Sequence, residues 1–271
     1  MTGWTSGVIT GASGGIGAAL AAELAAPGRR LLLTGRDGAR LAAAAAAARA
    51  KGAAVETAQA DVTDAAALAA ALRAFDAAGP VDLLVANAGL SSGLGPGRSM
   101  EPPERARRVL AVNLEGTLNT VEPLIPAMVA RGRGRIALMS SLAALRPLPD
   151  MPAYSASKAA VRAYGTSLRG WLGPQGVGVT VICPGFVTSP MSMRHRGFKP
   201  FEIPADRAAA LIAQGLARGR PYVTFPWPLA ALTWLDNRLP AAVSDWFARG
   251  FAAEIAPEQE DGAPQSGPGG A

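Results

Sequence analysis

The segment that most constrains this fold is the glycine-rich stretch at residues 10–17, which reads TGASGGIG. The apolar pair Val8-Ile9 precedes it, and an alanine-rich run of helical character follows it. This order predicts a strand, a tight turn and a helix. Glycines at positions 11, 15 and 17 lack the β-carbon that would keep a pyrophosphate from the backbone amides, and a helix N-terminus favours negative charge. The sequence therefore predicts a dinucleotide-binding turn, although its glycine spacing differs from the common G-x-G-x-x-G form.

The rest of the chain alternates between short apolar runs and longer helical runs. Strand-like runs lie at 31–34, 81–86, 135–139, 179–182 and 222–225, and alanine-rich helical runs include 41–51 and 64–78. This alternation is typical of an α/β protein with a doubly wound parallel sheet. A length of 271 residues with 49% apolar content is enough for one sizeable domain of this class.

Tyr154 and Lys158 form the pair most indicative of chemistry. They are four residues apart in a predicted helix, which places a phenol and an ammonium on one face. A free tyrosine titrates near pH 10, so it exchanges protons at neutral pH only if a neighbouring positive charge lowers its pKa. We expect Lys158 to do this, because about three pKa units require roughly 4 kcal/mol, which a partly dry cleft can supply.

The end of the second predicted strand bears on cofactor choice. Gly35-Arg36-Asp37 follows residues 31–34. An acidic residue at this strand end binds the ribose 2′-hydroxyl of NAD, whereas an arginine accommodates the 2′-phosphate of NADP. Arg36 therefore favours NADP(H), with NAD(H) left open by the adjacent Asp37.

Further motifs follow in a fixed order along the chain. These are Asp61-Val62, Asn87-Ala88-Gly89 at a strand end, Asn113 in a long predicted helix, Ser140-Ser141 at another strand end, and residues 183–188, CPGFVT. Together with the glycine turn and Tyr154-x-x-x-Lys158, this set resembles the short-chain dehydrogenase/reductase family, in its compact single-domain branch. The resemblance covers Gly7 to about Pro190, and it implies a Rossmann-like sheet of about seven strands flanked by helices.

The resemblance also implies roles for individual residues. Tyr154 would be the general acid in carbonyl reduction and the base in alcohol oxidation, with Lys158 lowering its pKa and holding the nicotinamide ribose. Ser141, thirteen residues before the tyrosine, would bind the substrate oxygen, and Asn113 would hold a water of the proton relay. The expected cofactor contacts are Gly11, Ser13, Gly14, Gly15, Ile16, Gly17, Arg36, Asp61, Val62, Asn87, Ala88, Gly89, Tyr154, Lys158, Pro184, Gly185, Val187 and Thr188.

The remaining composition excludes several other classes of site. With one histidine, His195, and one cysteine, Cys183, the chain lacks a Cys/His zinc cluster, so no metal is expected. Cys183 reads as a buried strand-end residue and His195 as a solvated loop residue. The net charge of +6 comes mostly from scattered arginines without aromatic interleaving, so nucleic acid is not an expected partner. The first twenty residues lack a basic region followed by an apolar core, so we expect a cytoplasmic protein.

The segment after Arg220 is where the chain departs from the family's minimal pattern. Residues 1–226 are expected to form the catalytic domain, with a substrate lid at about 189–206, and 257–271 to form a disordered tail. Residues 227–256 are predicted to be a helical extension on the same domain that covers the pocket or a subunit interface. Because this extension carries Trp234 and Trp246 with basic residues, peripheral membrane contact is the alternative.

We therefore expect an NADP(H)-preferring oxidoreductase that acts on a carbonyl or secondary alcohol. A catalytically idle cofactor-binding sensor or scaffold with the same fold is the alternative, since fold alone does not determine function. Several apolar residues near the expected cleft favour an apolar substrate, although core packing explains them equally well: Leu142, Leu145, Phe186, Met191 and Met193. The family resemblance implies a homodimer or homotetramer that pairs through the helices bearing Asn113 and Tyr154.

Overall fold

The computed structural model describes residues 3–236, 238–248 and 253–256, which form an α/β fold around one seven-stranded parallel sheet. The strand order is β3-β2-β1-β4-β5-β6-β8. These strands span Ser6–Ile9 (β1), Arg30–Gly35 (β2), Ala54–Gln59 (β3), Leu83–Ala86 (β4), Gly134–Met139 (β5), Val177–Pro184 (β6) and Tyr222–Phe225 (β8). The Rossmann-like sheet predicted from the sequence is confirmed.

Helices cover both faces of this sheet. They span Gly15–Leu24 (α1), Gly38–Arg49 (α2), Ala65–Ala78 (α3), Pro103–Leu110 (α4), Gly116–Val121 (α5), Ile125–Arg131 (α6), Pro152–Leu172 (α7), Pro190–Met193 (α8), Ala205–Ala217 (α9), Trp227–Asp236 (α10) and Ala241–Ala248 (α11). Asp37 and Asp64 cap α2 and α3, because each carboxylate accepts the backbone N–H three residues on. None of the helices in the described part of the chain is long and apolar enough to cross a membrane.

The core consists of one apolar layer on each side of the sheet. In β2, Leu31 and Leu33 pack into the layer beneath α1, α2 and α9, whereas Leu32 packs into the layer beneath α3 to α7. This alternation follows from the two-residue period of a strand, and apolar residues on both faces are typical of a buried parallel sheet. The sheet is thereby fixed rigidly between its two helical layers.

The helix predicted around Asn113 is not continuous. A π-helical turn, Ala111–Glu115, separates α4 from α5, and a short 3-10 turn precedes α6. Gly116 follows the π turn and packs against Val62, so that a β-carbon on this glycine would lie 2.5 Å from the Val62 Cγ2. Single π turns within α-helices occur frequently at functional sites.

The C-terminal extension is helical over α10 and α11, but it then forms a strand. Glu254–Ile255 (β9) pairs antiparallel with His195–Arg196 (β7), in a small two-stranded sheet. The predicted helical extension therefore also contains a short strand, because backbone pairing with a distant segment overrides local propensity. The Trp246 side chain and the tail at 257–271 lie outside the described residues.

Candidate active site

The glycine turn lies at the point where the strand order reverses. From β1 the chain proceeds outward to β2 and β3, and it then returns to β4 on the other side of β1. In open parallel sheets, ligands bind at this switch point, beyond the carboxyl ends of the strands. The predicted site residues from Gly11 to Thr188 lie at or after strand ends at this edge, at the start of α1, in the π turn before α5, or on α7.

Two glycines of the turn are required by its geometry. Gly11 and Gly15 have φ of 65° and 53°, in the left-handed region that favours glycine. A β-carbon on Gly11 would also lie 2.6 Å from the Ala88 Cα, and one on Gly17 would lie 2.3 Å from the Gly11 carbonyl oxygen. The turn therefore packs directly against the backbone that follows β4.

Asn87 joins these two segments. Its Nδ2 donates to the carbonyl oxygens of Thr10 at 2.9 Å and Gly11 at 3.2 Å, while its own backbone N–H donates to the Thr10 Oγ1. The Asn87 side chain, at the end of β4, thus holds the glycine turn in place. In this position it supports the expected cofactor cleft without needing to contact the cofactor.

The outer side of the turn has room for a pyrophosphate. A β-carbon on Gly14 would meet no atom within 4 Å, and one on Gly15 would meet only the Ser189 Cβ, at 3.3 Å. This open surface adjoins Ser13 and Ile16 and lies at the N-terminus of α1. The residues present therefore fit a dinucleotide cofactor, because the backbone of the turn is accessible at the N-terminus of α1, where the helix dipole favours an anion.

The far end of the cleft carries two acidic side chains that are already engaged. Asp37 caps α2, accepting from the Arg40 backbone N–H at 2.8 Å and pairing with the Arg40 guanidinium. These interactions with Arg40 lower the Asp37 pKa. Burial acts to raise the Asp61 pKa, but hydrogen bonds from Thr63 and the charges of Arg108 and Arg36 lower it overall.

Arg36 itself is exposed at the end of β2. It lies three strands along the sheet from Ser141, which follows β5. At about 4.8 Å per strand, this separation is about 15 Å, so the two residues serve opposite ends of the cleft rather than one cluster.

Ser141 lies close enough to Tyr154 for its hydroxyl to favour the ionised form of the phenol. Ser141 follows β5, and its Oγ also accepts the Ala143 backbone N–H at 3.1 Å and donates to the Pro184 carbonyl oxygen at 3.4 Å. Burial raises the Tyr154 pKa, and the Ser141 hydroxyl opposes this only in part. The structure therefore corrects the expectation of a lowered tyrosine pKa, because removal of water from the phenol outweighs the stabilisation of its anion.

Lys158 lies one turn farther along α7 and is buried. Its Nζ donates to the Met139 carbonyl oxygen at 2.9 Å and lies 5.8 Å from the centre of the Tyr154 ring. Burial lowers the Lys158 pKa to about 8. The amine is therefore close to the phenol, as the helical spacing predicted, but it donates its hydrogen bond to the last residue of β5.

Asn113 is fully buried beside this amine. Its Oδ1 accepts the Leu90 backbone N–H at 2.7 Å, and its Nδ2 donates to the Leu90 carbonyl oxygen and to the Ser157 Oγ. A β-carbon on Gly89 would lie 3.2 Å from both the Asn113 Oδ1 and the Lys158 Nζ. Gly89 therefore permits the close approach of these two side chains at the end of β4.

The segment after β6 completes the same edge of the sheet. Gly185 donates its backbone N–H to the Phe225 carbonyl oxygen at 2.7 Å, and Thr188 donates to the Ile203 carbonyl oxygen at 2.9 Å. Val187 is buried, and it forms a backbone bridge with Ile203. Pro184 ends β6 and accepts the hydrogen bond from Ser141, so this segment lies next to the hydroxyl pair.

Near the site, His195 differs from its predicted environment, and Glu101 is a residue that sequence analysis missed. His195 is half-buried in β7 rather than solvated, and its ring lies 5.1 Å from that of Phe186. Glu101 is buried, and its carboxylate accepts the Ala153 backbone N–H at the start of α7. In the structure, its burial marks Glu101 as unusual, because carboxylates are seldom buried without a partner. The sequence around Glu101 does not show that it is buried, so sequence analysis could not identify this residue. Cys183 is buried, as predicted.

The fold and this edge of polar residues define a nicotinamide-dinucleotide oxidoreductase. Residues 7–199 match the family model described as short chain dehydrogenase, and the chain belongs to that family. A protein of Myxococcus xanthus, named as an uncharacterized oxidoreductase, is 40% identical over 247 residues, which are 91% of this chain and 97% of that protein.

Two solved structures support the same assignment. A short-chain dehydrogenase/reductase of Burkholderia phymatum in complex with NAD has a TM-score of 0.76 and 27% identity, covering 87% of this chain and 94% of its own. A short-chain dehydrogenase of Sphingobium yanoikuyae in complex with NADPH has a TM-score of 0.73 and 28% identity, covering 88% and 97%. The neighbours therefore bind either nicotinamide cofactor.

Proposed function

We propose that this protein is an NADP(H)-preferring oxidoreductase that transfers hydride between nicotinamide and a carbonyl or secondary alcohol. The observation that carries this proposal is the grouping of Ser141 after β5 with Tyr154 and buried Lys158 on α7, where the Lys158 Nζ lies 5.8 Å from the centre of the Tyr154 ring. Two neighbouring hydroxyls, of Ser141 and Tyr154, can both reach one substrate oxygen.

The reaction assigns a task to each of these side chains. The cofactor supplies or accepts the hydride. In the reducing direction, negative charge develops on the substrate oxygen, and Ser141 donates a hydrogen bond to it while Tyr154 transfers its proton to it. A raised pKa keeps Tyr154 protonated at neutral pH, which suits a general acid, and the same group accepts the proton back in alcohol oxidation.

Lys158 and Asn113 support this proton transfer. In the charged form, Lys158 favours the tyrosinate that remains after the phenol has given up its proton, and it holds the nicotinamide ribose hydroxyls. Asn113, fixed by three hydrogen bonds to Leu90 and Ser157, holds the water through which the proton is replaced. The buried setting strengthens each of these electrostatic effects.

The preference for NADP(H) rests on the far end of the cleft. Arg36 is exposed there, and the Asp37 carboxylate is occupied by capping α2 and by Arg40. A carboxylate so engaged is a poor acceptor for a ribose 2′-hydroxyl, whereas a guanidinium pairs well with a 2′-phosphate. NAD(H) remains the second cofactor to test.

The proposal extends to partners and location. The substrate is a small carbonyl or alcohol with an apolar body, and the chain acts as a cytoplasmic homodimer or homotetramer. Leu110 at the end of α4 and Trp171 on α7 are exposed apolar side chains on the expected pairing helices, at 38% and 59%. Sedimentation velocity of the wild type and of Trp171→Ser tests this assembly, and a monomeric wild type would contradict it.

The activity test is NADPH oxidation with a panel of ketones and aldehydes, in parallel with NADH. Tyr154→Phe removes the proposed acid with little change in shape, and we expect turnover to fall about 10²- to 10⁴-fold with NADPH binding retained. Tyr164→Phe, on the same helix, is the matched control and should retain activity. Turnover that survives in Tyr154→Phe contradicts the assigned acid, and cofactor binding without turnover in the wild type favours the sensor alternative.

A further inference from the structure

Residues 253–256, here called the C-terminal clasp, contact three separate segments at the catalytic edge. The Ala253 backbone N–H donates to the Asp150 Oδ2 at 2.8 Å, and the Ala256 backbone N–H donates to the Arg194 carbonyl oxygen at 2.8 Å. Between them, Ile255 pairs with His195 in the small sheet of β7 and β9. Four residues near the C-terminus thus reach both the loop before α7 and the expected lid.

Ile255 is the apolar centre of these contacts. Its side chain is only 7% exposed. A β-carbon added to Gly93 would lie 2.5 Å from the Ile255 Cγ1 and 2.4 Å from the Asp150 carbonyl oxygen. Ile255 is therefore packed tightly between the loop that follows β4 and the loop that precedes α7.

Each contacted segment leads directly to a catalytic or cofactor residue. Gly93 lies four residues after Gly89, and Asp150 lies four residues before Tyr154. On the lid, Arg194 donates a side-chain hydrogen bond to the Ser91 Oγ at 3.3 Å, and His195 packs against Phe186. The clasp thus contacts the lid and the two loops that lead to Gly89 and Tyr154.

Ion pairs also join the two contacted loops to each other and to the C-terminal extension. Arg98 pairs with Asp150, with 2.7 Å between the Arg98 Nη1 and the Asp150 Oδ1. On the same loop, Arg146 pairs with Asp236 of α10 and donates to the Ser244 carbonyl oxygen of α11. The loop before α7 is therefore tied to the C-terminal extension at two positions, Arg146 and Asp150.

We propose that the C-terminal clasp holds the lid closed and forms the outer wall of the substrate cleft, with Ile255 as a specificity-determining residue. The substrate role rests on the proposed function, whereas the closure of the lid does not. An apolar, β-branched side chain at this wall limits the size of the group attached to the carbonyl and favours apolar groups over charged ones. Substrate entry then requires the two clasp hydrogen bonds and the β7–β9 pairing to open.

The first experiment measures lid closure without any substrate. Arg194 and Arg196 are tryptic sites on the lid, so limited trypsinolysis of the full chain, with cleavage sites identified by mass spectrometry, reports its opening. Ala253→Pro and Ala256→Pro each remove one of the two clasp donors, and the double variant should be cleaved at these sites at least fivefold faster. Ala253→Ser with Ala256→Ser keeps both N–H groups and should be cleaved at the wild-type rate.

Two outcomes of this digestion decide the question. Faster cleavage at Arg194 and Arg196 in the proline variant, with unchanged cleavage elsewhere and an unchanged circular dichroism spectrum, supports the clasp. Equal lid cleavage in the proline and serine variants overturns it. Because the readout needs no turnover, this result stands even if the oxidoreductase proposal fails.

The second experiment tests Ile255 against a series of ketones of increasing chain length and branching. Ile255→Ala should raise kcat/KM for bulky ketones relative to acetone by about tenfold, while NADPH affinity, measured by fluorescence titration, stays unchanged. Ile255→Val is the conservative control and should show the wild-type preference. An Ile255→Ala profile that parallels the wild type across the series overturns the specificity role.

Discussion

Burial of the Lys158 amine costs free energy whenever that amine carries a proton. Its pKa is about 8 in the folded chain against an ordinary value of 10.5. Between these two pH values the unfolded chain binds a proton that the folded chain has released, so the free energy of unfolding rises with pH across this window. The Lys158 contribution is complete above pH 10.5 and is lost as the pH falls to 8.

We predict that this dependence is removed by Lys158→Met. From pH 8 to pH 10, the free energy of unfolding of the wild type should increase relative to that of Lys158→Met, by at most about 3 kcal/mol. Urea denaturation of both proteins without cofactor, at intervals of half a pH unit, measures it. A difference that does not vary with pH would contradict a buried amine with a lowered pKa.

Arg36 provides the second residue-scale prediction, on cofactor choice. Arg36→Ala removes the guanidinium proposed to bind the 2′-phosphate, and charge-assisted hydrogen bonds of this type contribute about 1.5–3 kcal/mol. We therefore expect the KM for NADPH to rise about 10- to 100-fold, with the KM for NADH nearly constant. Arg29→Ala, whose guanidinium stacks on Trp4 and donates to the Leu24 carbonyl oxygen, is the matched arginine control. Equal effects on both cofactors would refute the assignment.

At the scale of elements, the start of α7 depends on a residue far away in the sequence. Met151 is the N-cap position and supplies no side-chain cap, but Glu101 accepts the Ala153 N–H at 3.1 Å. The other oxygen of this carboxylate accepts the Ser92 hydroxyl. A negative charge at this helix end also complements the helix dipole. The helix that bears Tyr154 and Lys158 is thus anchored by the loop that follows β4.

We predict that Glu101→Ala destabilises the protein by about 1–3 kcal/mol, because it leaves buried donors unpaired. Glu101→Gln keeps an acceptor for the Ala153 N–H and should cost less. Urea denaturation measures the stability, and kcat with saturating NADPH should follow the same order while the KM for NADPH stays near wild type. A Glu101→Ala loss below about 0.5 kcal/mol, the range of ordinary surface changes, would contradict the anchoring role.

The elements that the sequence predicted well are those with local signals. The glycine turn, the apolar strands and the four-residue spacing of Tyr154 and Lys158 each follow from neighbouring residues, and the structure has them in the predicted elements. The Glu101 anchor, the π turn at Asn113 and the pairing of Ile255 with His195 depend on partners tens of residues away. No periodicity encodes such contacts, so they could not be predicted. Likewise, the direction of the Tyr154 pKa depends on burial, which spacing does not reveal.

At the scale of the whole molecule, α10 exposes an apolar surface that the described fold does not cover. Trp227, Trp234 and Leu235 are 78%, 60% and 53% exposed, and the Arg238 guanidinium lies 3.4 Å from the centre of the Trp234 ring. Tryptophan next to a basic residue is suited to the interface of an anionic membrane. This surface supports the alternative of a peripheral membrane contact.

We predict that the wild type co-floats with vesicles that contain phosphatidylserine and that Trp227→Ser with Trp234→Ser abolishes this binding. Binding should weaken as salt is raised, because screening reduces the electrostatic part. Met100→Ser changes an exposed apolar side chain outside α10 and the expected pairing helices, and it serves as the control. If the wild type does not bind vesicles at low salt, the membrane contact is excluded.

Because the seven strands are parallel, their carboxyl ends all lie at one edge of the sheet and their amino ends at the opposite edge. The proposed functional residues lie at the carboxyl edge. Every loop that carries a proposed catalytic or cofactor residue leaves the carboxyl edge, whereas the connection at Lys51-Gly52, between α2 and β3, is exposed at the opposite edge. Exposed connections far from a cleft tolerate inserted peptides. An affinity tag or a fluorescent reporter placed between Lys51 and Gly52 would therefore leave both chain termini native, so immobilised or labelled protein could be studied with its C-terminal segment undisturbed.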